Sequence, residues 1–156
     1  MDDVDLASAV VAWLAGRTVA CAESCTTGRL SQALAAVDGA QAWFRGGLVA
    51  YQVPVKRALL GVTETSVLNE TAAGQMAAGA AALLGADVTV ATTGLVGGDA
   101  QDGVPPGTVF IATNVDGAVT ARTHHFDAEP SEVLDAAVRQ ALCDLLLDVA
   151  AVAATS

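Results

Sequence analysis

Apolar positions along the chain fall into alternating helical and strand-like patterns. Leu6, Val10, Trp13 and Leu14 recur at helical spacing and predict a first helix over Leu6 to Leu14, with Gly16 placed to end it. Thr18 to Ala22 is a short β-rich run. Ser24-Cys25-Thr26-Thr27-Gly28 follows it, and Leu30, Leu34 and Val37 then repeat at helical spacing as far as Asp38-Gly39. Together these read as strand, tight loop and helix. Phe44 to Tyr51 predicts a second strand with an irregular start, because Gly46 and Gly47 mark a bend or a close approach of another group. Pro54 to Leu60 predicts a short helix opened by proline and ended at Gly61. Thr65, Asn69 and Thr71 offer caps for an alanine-rich helix reaching Gly85.

Asp87 to Thr93 predicts a third strand, buried on both faces. Gly94 to Gly107 holds five glycines and two prolines and reads as loop. Thr108 to Thr113 and Ala118 to Phe126 are β-rich and separated by Asn114-Val115-Asp116-Gly117, a hairpin signal. A last helix runs from a Ser131 cap through Val133, Leu134, Ala137, Val138, Leu142, Leu145 and Leu146. Helices alternating with strands, plus one hairpin, predict a three-layer α/β/α single domain with a mixed β-sheet. No linker or repeat divides residues 1–156.

Composition narrows the function. A hydrophobic fraction of 53% without a membrane-length apolar run predicts a large core. Seven basic against seventeen acidic residues, a net charge of -10, argue against nucleic acid or an anionic membrane as partner. Three cysteines, an odd number, and an acidic Met1-Asp2-Asp3-Val4-Asp5 predict reduced thiols and a cytoplasmic protein. The one lysine, Lys56, lies five residues after the one tyrosine, Tyr51.

Ser24 stands where a strand ends and a helix begins, a position that can expose a hydroxyl while the N–H groups at Thr26, Thr27 and Gly28 stabilise an oxyanion. The alternative is a plain helix cap. Neither Gly-x-Ser-x-Gly nor Ser-x-x-Lys is present, so a base for Ser24 must come from elsewhere. Lys56, among Val53, Val55, Leu59 and Leu60, fits that role once burial makes it neutral, the alternative being a solvated surface lysine. Cys21, Cys25, His124 and His125 do not make a metal site, since adjacent strand histidines point to opposite faces. Gly94-Leu95-Val96-Gly97-Gly98-Asp99 reads as a substrate loop or a flexible connection, lacking both the P-loop lysine and the dinucleotide fingerprint.

Ala22-Glu23-Ser24-Cys25-Thr26-Thr27-Gly28, Tyr51 with Lys56, Leu60-Gly61-Val62, Thr93-Gly94-Leu95-Val96-Gly97 and Pro105-Pro106-Gly107-Thr108-Val109 occur in one order. In that order they resemble the CinA C-terminal domain family over nearly the whole chain. The resemblance implies a nicotinamide-nucleotide amidase of NAD salvage, converting nicotinamide mononucleotide and water to nicotinate mononucleotide and ammonia with no cofactor and no metal. It implies Ser24 as nucleophile, Lys56 as general base and Tyr51 as an orienting or proton-relaying hydroxyl. Glu23, Thr26, Thr27, Gly28, Thr93, Gly94, Gly97 and Thr108 would contact the pyridine-nucleotide substrate. Thr27 stands where the family usually has glycine. Gln52-Val53-Pro54-Val55 replaces a Ser-Asn pair, and Pro130 and Leu134 stand where arginines are common. If those arginines hold a substrate phosphate, Arg122, Arg139 or a partner subunit of a homo-oligomer would have to substitute. A diverged amidase on another amide and a non-catalytic nucleotide-binding protein are the competing readings.

Overall fold

The computed structural model describes all 156 residues. Helix α1 (Asp3–Val11) is followed by β1 (Val19–Glu23), α2 (Arg29–Ala35), β2 (Phe44–Val49), α3 (Val53–Leu60), α4 (Glu70–Leu84), β3 (Val88–Leu95), β4 (Thr108–Val115), β5 (Ala118–His125) and α5 (Pro130–Ala154). The five strands form one sheet in the order β2-β1-β3-β4-β5. β2, β1 and β3 run parallel, and β4 and β5 complete the sheet antiparallel. Helices α1, α2 and α5 bury Leu6, Leu30, Leu34, Val138 and Leu142 against one face. On the other face α4 packs Ala72, Ala73, Met76 and Ala77 against Ala22, Ala91 and Phe110. The expected three-layer α/β/α domain with a mixed sheet is present. No helix is long and apolar enough to cross a membrane.

Several boundaries differ from the pattern-based expectation for local reasons. α1 starts at Asp3, because Asp2 and Asp5 exchange side chain-to-backbone hydrogen bonds of 2.8 and 2.9 Å in a capping box. α5 starts at Pro130 with Glu129, not Ser131, as its cap. β3 continues through Gly94 and Leu95, which the glycine content assigned to loop, because Val109 and Thr108 of β4 pair with them. The hairpin turn is confined to Asp116 and Gly117, at φ 52° and 91°, the left-handed geometry of a two-residue turn.

The glycine pair of β2 serves both functions read from it. The β1–β2 register shifts after Val19↔Phe44, leaving Arg45 unpaired before Ala20↔Gly46. A Cβ on Gly47 would stand 2.0 Å from Oγ of Ser31 and 2.8 Å from Sγ of Cys21, so only glycine lets α2 seat against this edge of the sheet.

The candidate active site

Strand order places the crevice. From β1 the chain crosses by α2 to β2 on one side, and from β2 it returns by α3 and α4 to β3 on the other. β1 is therefore flanked by strands whose connections leave in opposite directions, and ligands in such sheets bind at the carboxyl ends of the strands at that point. Ser24 directly follows β1 there. Its N–H donates to the carbonyl of Thr92 at 3.0 Å, and Ala50 N–H donates to the carbonyl of Glu23 at 2.8 Å, so the strand end is held from both neighbours.

The turn from Ser24 to Gly28 is built around Glu23. Its side chain is fully buried, and its carboxylate accepts from Thr26 Oγ1 at 2.6 Å, Leu30 N–H and Ser31 N–H at 2.9 Å each, and Ser31 Oγ at 2.6 Å. Because the Thr26 proton is committed to Glu23, Thr92 Oγ1 donates to Thr26 Oγ1 at 2.9 Å. Thr27 closes the turn at φ 45° and Gly28 at φ 100°. The N–H of Thr27, expected to be free for an oxyanion, donates instead to the carbonyl of Ser24 at 3.2 Å. The N–H groups of Cys25, Thr26 and Gly28 have no backbone acceptor.

A pocket of about 860 Å³ opens over this turn. Of the residues proposed from sequence, Ser24, Thr27, Tyr51, Lys56, Thr93, Gly94 and Gly97 line it. Glu23, Thr26, Gly28 and Thr108 do not. Glu23 and Thr26 are spent beneath the floor on each other and on α2, Gly28 caps α2, and Thr108 Oγ1 bonds Nδ1 of His125 at 3.1 Å. Gln52, Val67, Leu68, Gln101 and Cys25 also line the pocket, as does Leu134. Val67 and Leu68 come from an irregular segment with no periodicity to mark them. Gln101 is held by reciprocal backbone hydrogen bonds with Val104 at 3.0 and 2.8 Å, a pairing that no residue pattern announces.

Lys56 is 2% exposed, and its Nζ donates to the main-chain carbonyl of Tyr51 at 2.6 Å. Burial lowers its pKa from the usual lysine value, with the Cys25 sulfur opposing. Tyr51 thus holds the amine through its backbone carbonyl, and its side chain is exposed and lines the pocket. Burial pushes the Cys25 thiol up to about 11, against the pull of its own N–H, of Lys56 and of the Thr26 N–H. A thiol held protonated in this way is a poor nucleophile at neutral pH.

Neither arginine considered as a substitute phosphate ligand reaches the pocket. Arg122 makes a bidentate pair with Asp148 at 2.8 and 2.6 Å, and Arg139 donates to the carbonyl of Met1 at 2.7 Å. The two histidines face opposite ways as the pleat requires, His124 to Asp144 at 2.8 Å and His125 to Thr108.

A crevice at the ends of parallel strands, with a serine turn and a buried lysine opening onto one pocket, defines an α/β domain with a candidate active site. The chain belongs to the CinA C-terminal domain family, whose model matches residues 4–149. It is 37% identical over 131 residues to Protein YdeJ of Escherichia coli K12, covering 80% of this chain and 76% of that protein. It is 41% identical over 131 residues to a CinA-like protein of Mycolicibacterium gilvum, covering 80% of this chain but 31% of that one. The chain thus spans about a third of the length of such curated relatives. A CinA superfamily protein of Klebsiella pneumoniae superposes with a TM-score of 0.90 at 31% identity, over 96% of this chain and 99% of that one.

Proposed function

We propose that the chain is an amidohydrolase that converts a pyridine carboxamide to the carboxylate and ammonia through Ser24. Nicotinamide mononucleotide to nicotinate mononucleotide is the reaction of that class which the family resemblance implies. The observation that carries the reading is a serine on a strand-to-helix turn and a desolvated lysine opening onto one pocket, beside main-chain N–H groups with no backbone acceptor.

Neutral Lys56 takes the Ser24 proton as Oγ bonds to the carboxamide carbon, and the negative charge formed on oxygen is met by the N–H of Cys25, a pocket residue whose amide has no backbone acceptor. Lys56, now an ammonium, returns the proton to the departing amine, the C–N bond breaks and ammonia leaves an acyl ester on Ser24. Water then gives a proton to Lys56 and attacks the ester, and release of the carboxylate restores the Ser24 hydroxyl. Burial of Lys56 serves this cycle, since only an unprotonated amine accepts the first proton.

Ammonia release from nicotinamide mononucleotide and related carboxamides by the purified chain tests the reading. Turnover lost in Ser24→Ala with an unchanged melting curve is the expected result. Absence of ammonia from every carboxamide offered would refute it.

A further inference from the structure

We propose that the chain pairs with a second copy of itself through the free edge of β5, the two strands running antiparallel about a dyad at Ala121. β5 ends the sheet on one side. Its pairing with β4 runs unbroken from Val115↔Ala118 to Thr108↔His125, and the Phe126 N–H continues the ladder to the Gly107 carbonyl at 2.8 Å. Phe126 therefore belongs to the set that bonds inward, with His124, Arg122, Thr120 and Ala118. Hydrogen bonding alternates along an antiparallel ladder, so Val119, Ala121, Thr123 and His125 turn their N–H and C=O groups outward. None of these N–H groups makes a main-chain hydrogen bond outside the β4 ladder.

Outward main-chain groups on an edge are a template for another strand unless a bulge, a proline or a charge defends them. The opposite edge is defended, since β2 carries the bulge at Arg45 and Gly46 at φ 135°. β5 has neither bulge nor proline. Its charges do not guard the edge either, because Arg122 is folded onto Asp148 at 2.6 Å and His124 onto Asp144 at 2.8 Å, both on α5. On the other face Val119 is 46% exposed beside a groove that α4 lines with Gly74 and Ala78. Residues that small leave a second strand room to lie against β5.

The edge fits its own copy. A strand that meets itself about a dyad runs antiparallel, and residues of one face meet residues of the same face. Two registers pair nearly the whole of β5. One is centred on Arg122 and sets two guanidinium groups directly opposite each other, a like-charge contact that weakens pairing. The other is centred on Ala121. There Ala121 meets the partner's Ala121, and Val119 meets the partner's Thr123 as a β-branched pair that covers the exposed valine. Arg122 and His124 face the partner's Thr120 and the partner's Ala118, so no charge meets its like. The outward groups of Val119, Ala121 and Thr123 then bond across the dyad, and the two sheets become one. The pocket over Ser24 lies at the ends of β1 and β3, with β4 between β3 and this edge, so each site stays open.

Sedimentation equilibrium tests the pairing at physiological salt, which screens the net charge of -10 on each copy. The parent should approach twice its 15.5 kDa as concentration rises from micromolar to millimolar. Ala121→Lys and Ala121→Glu each set like charges at the dyad. Either alone should weaken the dimer at least tenfold, and mixing the two should restore it. Hydrogen exchange needs no variant: the amides of Val119, Ala121 and Thr123 should exchange at least tenfold more slowly at the high concentration than at the low one. Should the Ala121 variants fail to fold, Thr123→Pro takes their place, since it removes one outward N–H, leaves the β4 ladder whole and should be monomeric. A parent that stays at 15.5 kDa would overturn the proposal. So would a dimer that survives these substitutions, or one whose outward β5 amides exchange as fast as in the monomer.

Discussion

At the scale of single residues, the site turns on how burial treats three neighbouring groups. Ser24 lines the pocket, Cys25 beside it is kept protonated by desolvation, and Lys56 is driven toward its neutral form by the same effect acting on a cation. Cys25→Ala should therefore retain most turnover, whereas Ser24→Ala should lose at least a thousandfold, roughly 4 kcal/mol of barrier. Activity abolished by Cys25→Ala in a folded protein would reverse the assignment. Lys56 also makes a prediction that needs no substrate. Between its lowered folded pKa and about 10.4 the unfolded chain binds a proton that the folded chain does not, so stability attributable to Lys56 rises with pH across that interval. Below the folded value both states are protonated and the burial cost is at its full size. Melting temperatures of the parent minus those of Lys56→Met should thus climb from neutral pH toward 10.4. A difference that stays flat would mean that the amine is solvated and unfit to be the base.

At the scale of elements, the turn between β1 and α2 is held from below by a carboxylate and strained at its tip. The resemblance implies Glu23 as a substrate contact, but a family motif does not give the direction of a side chain at a strand end; alternation turns Glu23 under the floor toward α2. In Glu23→Gln one acceptor becomes an NH2 group facing existing donors. That should cost about 2 to 3 kcal/mol and lower Tm by roughly 4 to 12 °C, with kcat falling as the Ser24 turn loosens. A Tm within a degree of the parent would contradict this role. Thr27 carries the opposite expectation. A β-branched residue in the left-handed region costs roughly 1 to 2 kcal/mol, and glycine gives back part of that through its freer unfolded chain. Thr27→Gly should raise Tm by about 2 to 4 °C; a lower Tm would show that Thr27 contacts outweigh its strain at φ 45°. The mismatch with the usual family glycine was legible in the chain, but the positive φ that explains it was not, because a turn conformation depends on where both flanking elements are anchored.

At the scale of the whole molecule, the layers were readable because amphipathic spacing and buried strands dictate them, and the pocket was only half readable because its walls come from segments brought together by the sheet. Ser24, Tyr51, Lys56 and the Thr93–Gly97 run announce themselves; Val67, Leu68 and Gln101 have no local signature. The same holds for the ties between α5 and the sheet. Asp148 of α5 accepts from both guanidinium nitrogens of Arg122 on β5 at 2.8 and 2.6 Å and from Thr113 Oγ1 on β4 at 2.6 Å, joining residues 26 and 35 positions away. Burial raises the Asp148 carboxyl, but the hydrogen bonds from Arg122 and Thr113 outweigh it and hold the group below the usual carboxylate range. With only 14% of the Asp148 side chain exposed, removing the charge leaves Arg122 half-desolvated against a partner that no longer compensates it. Asp148→Asn should cost about 2 kcal/mol or more and lower Tm by at least 4 °C or so near neutral pH. A group with a depressed folded pKa contributes stability that is complete above the unfolded value of about 3.9 and disappears as pH falls through the folded one. The gap between the parent and Asp148→Asn melting curves should accordingly hold constant from neutral pH down to about 5 and close below 3.9. A gap that persists at the acid end would mean that Asp148 acts by shape alone and that α5 is docked by its apolar face without help from the pair.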